Sequence, residues 1–260
     1  VEKPFGRDLP SAPSLNRTLH QSFPESAVFR IDHYLGKEPV ENLLYFRFSN
    51  SFIEPIWNRN HVARVQITMA ENFGVGGRGS FYEEVGAIRD VVQNHMLQVT
   101  SLLAMEAPVG RSRDRVRHEK LRVFNAMRPL APAEIVRGQF RGYRDEKGVA
   151  PDSQVETFAA MRLHIDTWRR SGVTFYIRAG KRLPVTATEV TVELKGPPHA
   201  VIDGSRVGAS HHYRFRLRPA VFCSSGARDK VPGGAWGGGG GVAVLPRQTG
   251  RGMTRYEEAR

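Results

Sequence analysis

The class of fold follows from residues 155–194, which read VETFAAMRLHIDTWRRSGVTFYIRAGKRLPVTATEVTVEL. This stretch and its flanks contain short runs rich in β-branched and aromatic residues, which are typical of β-strands. The runs lie at residues 135–140, 155–165, 173–177, 189–194 and 213–217. Because no long helix separates them, consecutive strands are expected to pair antiparallel. The pattern predicts an α+β fold with a large, mainly antiparallel sheet backed by helices.

The first half of the chain is predicted to be mainly helical. Leu15 and Leu19 lie four residues apart and predict a short helix over residues 11–22. A first-turn proline, Pro39, beside the acidic Glu38 predicts a second helix that begins there. Further predicted elements are a short strand at residues 28–31, a strand at 61–70 and an exposed, highly charged helix at 111–127.

The longest predicted helix begins at Ser80. Apolar residues recur every three or four positions from Phe81 to Leu103, which is the helical period. Ser80 stands three residues before Glu83, a spacing that predicts a capping box at the start of the helix. The helix is expected to stop before Pro108.

The C-terminal part of the chain is unusually rich in glycine. Of the 26 glycines, 13 lie between Gly196 and Gly252, and five are consecutive at residues 237–241. Such a composition is typical of flexible chain. We therefore do not expect a stiff, packed tail in this stretch, and the folding of the glycine-rich part beyond about residue 204 stays open.

Composition narrows the classes of protein. With 260 residues, 40% hydrophobic and 25% charged, the chain is expected to be globular. No run approaches the roughly 18 apolar residues that span a bilayer, and no secretory pattern opens the chain. The single cysteine, Cys223, argues against a cysteine-rich zinc site and indicates a reducing, cytoplasmic compartment. The net charge of +12 predicts an anionic partner: nucleic acid, a phosphate compound or an acidic surface. The start at Val1 without a lead-in indicates a piece of a longer protein.

Residues 32–37 concentrate polar groups between a predicted strand and a predicted helix. His33 and Lys37 carry positive charge, Tyr34 offers a hydroxyl, and the helix N-terminus adds backbone N–H groups. With Asp32 beside them, these residues predict an anion-binding turn. The alternative interpretation is an ordinary polar loop in which Tyr34 packs against the core.

His95 is a candidate general base on the longest predicted helix. An imidazole can accept a proton at neutral pH, and a nearby carboxylate can orient it and stabilise its cation. His95 lies on the polar side of this helix with Asp90 and Asn94. The alternative interpretation is a structural histidine without a chemical role.

Two basic segments each allow two interpretations. Residues 176–182 end a predicted strand with three cations at a glycine turn, which indicates either an anion contact or a solvated strand end. Residues 111–122 form the longest basic stretch, which indicates either a nucleic-acid surface or a solvated helix face. Asp114 and Glu119 interrupt that stretch and no aromatic residues interleave, which favours the solvated face. The glycine-rich residues 74–79 lack the Gly-Lys-Ser/Thr ending of a phosphate loop.

Seven segments resemble motifs of the glucose-6-phosphate dehydrogenase family, in the order in which that family carries them. They are EKPFGRDL (2–9), RIDHYLGK (30–37), PIWNR (55–59), GRG (77–79), IRDVVQNH (88–95), AME (104–106) and RAGKRL (178–183). The resemblance is close over residues 1–200 and looser beyond them.

The resemblance implies oxidation of glucose 6-phosphate to 6-phosphoglucono-lactone, the first step of the pentose phosphate pathway, with hydride transfer to NADP+. It implies His95 as the general base and Asp32 as the carboxylate that orients His95. For the substrate it implies His33, Tyr34, Lys37, Glu71, Asp90 and Lys181 as binding residues. For the coenzyme it implies Lys3.

The resemblance also implies how the chain is divided and what it assembles with. Residues 1–24 resemble the end of an N-terminal NADP-binding domain, and residues 25–260 resemble the C-terminal domain. The sheet of that domain is expected to join subunits into a homodimer or tetramer, with no nucleic acid, membrane or metal as partner. Two alternatives are kept: a chain that binds glucose 6-phosphate without turnover and, less favoured, a basic nucleic-acid-binding module.

Overall fold

A computed structural model describes residues 10–29, 34, 36–110, 112–199, 211–218, 221–230 and 238–246 of the protein. The helices are α1 (Ser11–Ser22), α2 (Glu38–Phe48), α3 (Gly79–Ala87), α4 (Leu97–Ala104) and α5 (Arg113–Asn125), with a π-helical segment, Ile88–Met96, between α3 and α4. The strands are β1 (Val62–Ala70), β2 (Ile135–Gly138), β3 (Phe158–His164), β4 (Thr174–Gly180), β5 (Ala187–Leu194), β6 (His212–Arg218), β7 (Phe222–Lys230) and β8 (Gly238–Pro246). The five described α-helices lie in the first half of the chain and all the described strands except β1 in the second, which confirms the predicted α+β class.

All eight strands belong to one sheet, in the order β2-β3-β4-β1-β5-β6-β7-β8. Every neighbouring pair is antiparallel except β1 and β4, which are parallel. The prediction of a mainly antiparallel sheet is therefore confirmed. The parallel pair had no signal in the sequence, because its partners, such as Val65 and Phe175, lie far apart along the chain.

The core lies between the sheet and the helices that contain residues 88–104. Phe175 and Val190 of the central strands have no exposed surface and belong to the same buried cluster as Val92 and Met96 of the π-helical segment. Burying these apolar faces against each other is the main source of stability for such a layered fold. No helix among the described residues is long and apolar enough to cross a membrane.

The long helix predicted from Ser80 is divided at Gly86. Gly86 has φ 60° and ψ −178°, a backbone conformation that is nearly restricted to glycine, so the helix is kinked there, one residue before α3 ends and the π-helical segment begins. The predicted capping box is wrong, since α3 follows Arg78 and has no side-chain cap. Glu83 instead accepts hydrogen bonds from Tyr143 Oη at 2.6 Å and Ser153 Oγ at 2.7 Å. Burial opposes ionisation of Glu83, but these bonds hold its pKa below the usual value.

Two further expectations are corrected by the structure. A stiff, packed tail was not expected in the glycine-rich stretch, yet residues 222–230 and 238–246 form β7 and β8. Backbone hydrogen bonds in a β-ladder need no side chains, so the glycines of β8 can pair with β7. The strand expected at residues 28–31 is also wrong for Val28 and Phe29, because the Val28 N–H bonds back to Glu25 O at 3.1 Å. Residues 30 and 31 lie outside the described residues.

Candidate active site

The predicted anion-binding turn leads directly into α2. Tyr34 is buried, and its carbonyl accepts the Lys37 N–H at 3.2 Å. Lys37 is exposed and immediately precedes α2, and its Nζ lies 5.2 Å from the centre of the Tyr34 ring. The turn thus holds an ammonium group at a helix N-terminus, where the helix dipole favours an anion. Asp32 and His33, the other two predicted residues of this turn, lie outside the described residues.

Tyr34 connects this turn to His95. The centres of the two rings are 4.8 Å apart and their planes are inclined by 33°, which is a direct aromatic contact. Tyr34 is therefore packed, as the alternative interpretation proposed, and it also brings the turn to the candidate base. The structure places Tyr34, Lys37 and His95 in one cluster.

Asp90 and His95 lie in the same π-helical segment. In an α-helix, residues five apart point about 140° away from each other. In a π-helix the hydrogen bonds join residues five apart, so the turn is wider and Asp90 and His95 lie closer to the same side of the segment. The side-chain amide of Asn94 donates to the carbonyl of Asp90 at 3.4 Å. Such segments are frequent at functional sites, because they re-orient side chains within a helix.

Lys181 and Glu71 form an ion pair. Lys181 Nζ lies 2.6 Å from Glu71 Oε2, and the lysine side chain is only 4% exposed. The ammonium also lies 5.1 Å from the centre of the Phe73 ring and 5.3 Å from that of Tyr82. A buried ammonium is stable only with such partners, since desolvation without them is costly. Of the segment at residues 176–182, Lys181 is thus a buried group rather than part of a solvated strand end.

The parallel pairing of β1 with β4 explains why Glu71 meets Lys181. The last register pair of the two strands is Ala70 with Gly180, and Glu71 and Lys181 are the next residues of each chain segment. The Glu71 N–H donates to the carbonyl of Gly180 at 3.0 Å, which continues the pairing by one step. The carboxyl ends of parallel strands lie at one edge, so both side chains emerge together.

Tyr82 of α3 is buried beside this ion pair, with its ring centre 5.3 Å from Lys181 Nζ. Burial raises the pKa of the Tyr82 hydroxyl above its usual value, and the negative charges of Asp90 and then Glu71 raise it further. Its hydroxyl therefore stays protonated over the physiological range.

Sequence reasoning did not single out Phe73 or Tyr82. Both lie in segments that were interpreted as a loop and a helix start, and no local pattern indicates that they face Lys181. The predicted coenzyme residue Lys3 lies outside the described residues.

The basic helix α5 neutralises part of its own charge. Arg117 lies 3.6 Å from Asp114 and 3.8 Å from Glu25, and Arg122 lies 3.3 Å from Glu119. These exposed pairs are typical of a solvated helix face. They favour that interpretation over a nucleic-acid surface.

The glycine-rich segment between β1 and α3 has a packing role. A Cβ on Gly79 would collide with the backbone carbonyl of Lys147, which lies against the start of α3. The loop that contains Lys147 thus covers this helix N-terminus. That position accords with the absence of a phosphate-loop motif in the sequence.

Family models match nearly the whole chain. Residues 44–237 match the family described as glucose-6-phosphate dehydrogenase, C-terminal domain. Residues 1–42 match the family described as glucose-6-phosphate dehydrogenase, NAD binding domain.

Curated relatives carry the same family name. Glucose-6-phosphate 1-dehydrogenase 1 of Mycobacterium bovis is 52% identical over 220 residues, which are 84% of this chain and 47% of the relative. Glucose-6-phosphate 1-dehydrogenase of Bacillus subtilis is 45% identical over 212 residues, which are 76% of this chain and 43% of the relative. The chain spans about half the length of the curated relatives it matches.

Solved structures agree with this result. Glucose-6-phosphate 1-dehydrogenase from Mycobacterium avium superposes with a TM-score of 0.87 at 43% identity, covering 95% of this chain and 53% of that one. A glucose-6-phosphate dehydrogenase in complex with its substrate glucose-6-phosphate also has a TM-score of 0.87, at 38% identity, covering 95% of this chain and 52% of that one. On its sequence, its fold and the family models that it matches, the chain belongs to the glucose-6-phosphate dehydrogenase family.

Proposed function

We propose that this chain forms the glucose 6-phosphate site of an NADP-dependent glucose-6-phosphate dehydrogenase. The observation that carries the proposal is the contact between Tyr34 and His95, which joins an anion-binding turn to a candidate base. The likeness to a dehydrogenase solved in complex with glucose-6-phosphate supports the choice of substrate. In the complete enzyme the reaction would yield 6-phosphoglucono-lactone.

Each residue assigned to glucose 6-phosphate has a binding role that fits the chemistry of its side chain. Lys37 and Lys181 supply positive charge for the phosphate and hydrogen-bond donors for the sugar, and His33 and Tyr34 complete the clamp on the phosphate. Glu71 and Asp90 accept hydrogen bonds from sugar hydroxyls, since carboxylates are strong acceptors. Lys181 has three N–H donors, so its bond to Glu71 leaves donors for the substrate.

His95 is the proposed general base of the reaction. It takes the proton of the hydroxyl at carbon 1, while the hydrogen on that carbon leaves as hydride. Asp32 would orient the imidazole and stabilise its cation. When bound, the nicotinamide coenzyme accepts the hydride. Because Lys3, the residue assigned to the coenzyme, lies outside the described residues, no described residue is assigned to coenzyme binding.

The binding proposal is tested by calorimetric titration of this chain with glucose 6-phosphate, with glucose and inorganic phosphate as control ligands. Selective binding is expected, and Lys37→Ala is expected to weaken it at least about tenfold, through loss of a charged contact. Lys147→Ala removes an equal charge from an exposed position and is the matched control. A folded chain that binds no glucose 6-phosphate would contradict the proposal and indicate a motif without a working site.

The assignment of the base is tested in a chain that also carries a coenzyme domain. His95→Asn is expected to abolish most turnover while glucose 6-phosphate binding largely survives, because the base acts in the transition state. An equal loss of binding and of rate would contradict the role of base. Preserved turnover would point to another proton acceptor.

Three finer features are also proposed: NADP as the preferred coenzyme, a cytoplasmic location, and a homodimer or tetramer formed through the sheet. The last of these rests on the likeness to the family, because the charged pairs on the strands lie within one chain. Glu193 pairs with Arg64 at 2.7 Å, and Glu189 pairs with Arg214 at 2.8 Å and Arg216 at 3.1 Å. Sedimentation equilibrium measures the assembly, and a monomer at micromolar concentration would contradict it.

A further inference from the structure

We propose that Glu156 is a positioning residue that holds the π-helical segment in register with Lys181. The inference rests on the proposed function, because it concerns the same substrate site. Glu156 precedes β3 and belongs to neither of the two clusters of site residues. Its contacts join the chain segments that contain them.

Glu156 binds the start of the π-helical segment twice. Its carboxylate Oε1 accepts the Ile88 N–H at 3.0 Å, and its backbone carbonyl accepts the Ala87 N–H at 2.9 Å. The first N–H groups of a helix have no partner within the helix and require acceptors elsewhere. A carboxylate is a strong acceptor for this position, because its charge also interacts favourably with the helix dipole.

Gly86 makes this close approach possible. A Cβ at Gly86 would lie 2.5 Å from Glu156 Oε1 and 2.9 Å from its carboxyl carbon. Only a glycine therefore leaves room for the carboxylate beside the Ile88 N–H. Gly86 and Glu156 fit each other although they are distant in sequence.

The residue after Glu156 holds the other part of the site. The carbonyl of Thr157 accepts the Lys181 N–H at 3.0 Å, and its own N–H donates to Gly138 O at 2.9 Å. Its hydroxyl accepts the Phe140 N–H at 2.8 Å, and no part of Thr157 is exposed. The Thr157 backbone is thus bound to β2 through Gly138 and to Lys181, directly after β4, so it is held by the sheet rather than by the helix.

The adjacent residues Glu156 and Thr157 therefore connect two parts of the site. One is the π-helical segment, which carries Asp90 and His95, and the other is Lys181. The carboxylate and the backbone carbonyl of Glu156 together set how far the π-helical segment lies from this point. Without the carboxylate, one of these two bonds is lost, the Ile88 N–H has no acceptor on Glu156, and the segment can shift relative to Lys181. Catalytic geometry is sensitive to such shifts, since about 1 Å of misplacement can cost about 100-fold in rate.

The test compares Glu156→Ala, Glu156→Gln and the neighbouring control Gln154→Ala in this chain. Gln154 is exposed, whereas the amide oxygen of glutamine at position 156 can accept the same bond from Ile88. Three quantities are measured: amide hydrogen exchange at Ala87 and Ile88, the NMR signal of the His95 ring, and the Kd for glucose 6-phosphate. A His95→Asn variant identifies the His95 signal.

Glu156→Ala is expected to speed exchange at Ile88, shift the His95 signal and weaken glucose 6-phosphate binding roughly tenfold. Glu156→Gln and Gln154→Ala are expected to resemble the parent chain in all three measurements. Unchanged exchange and an unchanged His95 signal in a folded Glu156→Ala chain would overturn the proposal. So would an unchanged Kd despite those shifts, or a Glu156→Gln chain as impaired as the alanine variant.

The experiment still decides the role of Glu156 if the alanine variant does not fold or if the parent chain does not bind glucose 6-phosphate. If Glu156→Ala does not fold, Glu156→Asp, which retracts the carboxylate by one methylene, is measured in its place with the same expectations and the same overturning results. If the parent chain binds no glucose 6-phosphate, the proposed function fails. Exchange at Ile88 and the His95 signal then still decide whether Glu156 positions the segment.

Discussion

Lys181 illustrates at the scale of one residue how burial changes the meaning of a charge. Its neighbours Arg178 and Arg182 are exposed, as a solvated strand end would require. Lys181 between them is buried against Glu71 and two aromatic rings. The sequence shows three similar cations, and only the alternation of the strand and its register decide which one points inward.

The thiol of Cys223 gives a pH-dependent prediction. Burial raises the pKa of this thiol to about 11 from an ordinary value of 9.0. Because only the thiolate reacts, the folded chain at pH 8 is expected to react with a maleimide roughly 100-fold more slowly than the unfolded chain. The rate in the folded chain should rise as the pH approaches the raised pKa.

Stopped-flow labelling with and without urea measures these rates. A small thiol at the same pH corrects for any effect of urea on the reagent. Equal rates in the folded and unfolded chains would contradict the burial of Cys223.

The backbone at Gly86 leaves no room for a side chain. Gly86→Ala is expected to destabilise the chain by roughly 3 kcal/mol, because the backbone conformation is nearly restricted to glycine and the new Cβ meets Glu156. Gly76 has a similar φ, 59° against 60°, but nothing lies within 4 Å of its Cβ position. Gly76→Ala should therefore cost about 1 kcal/mol.

Urea denaturation of both glycine variants measures the difference. Equal losses would contradict the larger cost expected at Gly86.

Among the helices, α4 continues the π-helical segment that carries the candidate base, and buried arginines anchor α4 at its C-terminal end. Arg170 donates to the carbonyls of Leu103, Ala104 and Trp57 at 2.7–3.1 Å, and Arg47 donates to that of Leu102 at 2.6 Å. The last carbonyls of a helix have no partner within it, so these guanidinium groups replace the usual cap. Burial lowers the pKa of Arg170 well below its usual value, and the neighbouring Arg47 lowers it further.

Replacing Arg170 tests this anchor. Arg170→Met is expected to destabilise the chain by about 3 kcal/mol or more, because three buried carbonyls lose their donor. Arg128→Ala removes an exposed pair with Asp166 and should leave the denaturation midpoint nearly unchanged. Equal shifts of the two midpoints in urea would contradict the role of Arg170 as the cap of α4.

At the scale of the whole molecule, one central pairing joins distant parts of the chain. β1 lies between β4 and β5, so the centre of the sheet cannot form until residues near 65 pair with residues near 175. Such long-range pairing is a slow step in folding but gives well-protected central strands.

The predicted domain boundary between residues 24 and 25 stays a prediction, while the two family models meet at residues 42–44.

Hydrogen exchange should reflect this architecture. The slowest exchange is expected in β1 and β4, which are paired on both sides, and faster exchange in β2, which is paired on one side. The fastest among these elements is expected in α1, which has no buried residue. Mass spectrometry after exchange measures the order, and protection of α1 equal to that of β1 would contradict it.

The residue pattern along the chain was sufficient to predict strands β1 to β6, α1, α2 and the cationic turn, because these depend on neighbours a few residues apart. Residue chemistry also indicated Lys37 and His95 as candidates, and the resemblance to the family added Lys181 as a substrate-binding residue. The break at Gly86, the π-helical segment and the β7–β8 pair were decided by packing and hydrogen bonds between distant segments. The meetings of Tyr34 with His95 and of Glu71 with Lys181 were decided in the same way, since burial of apolar faces sets the register of strands and the position of helices on them.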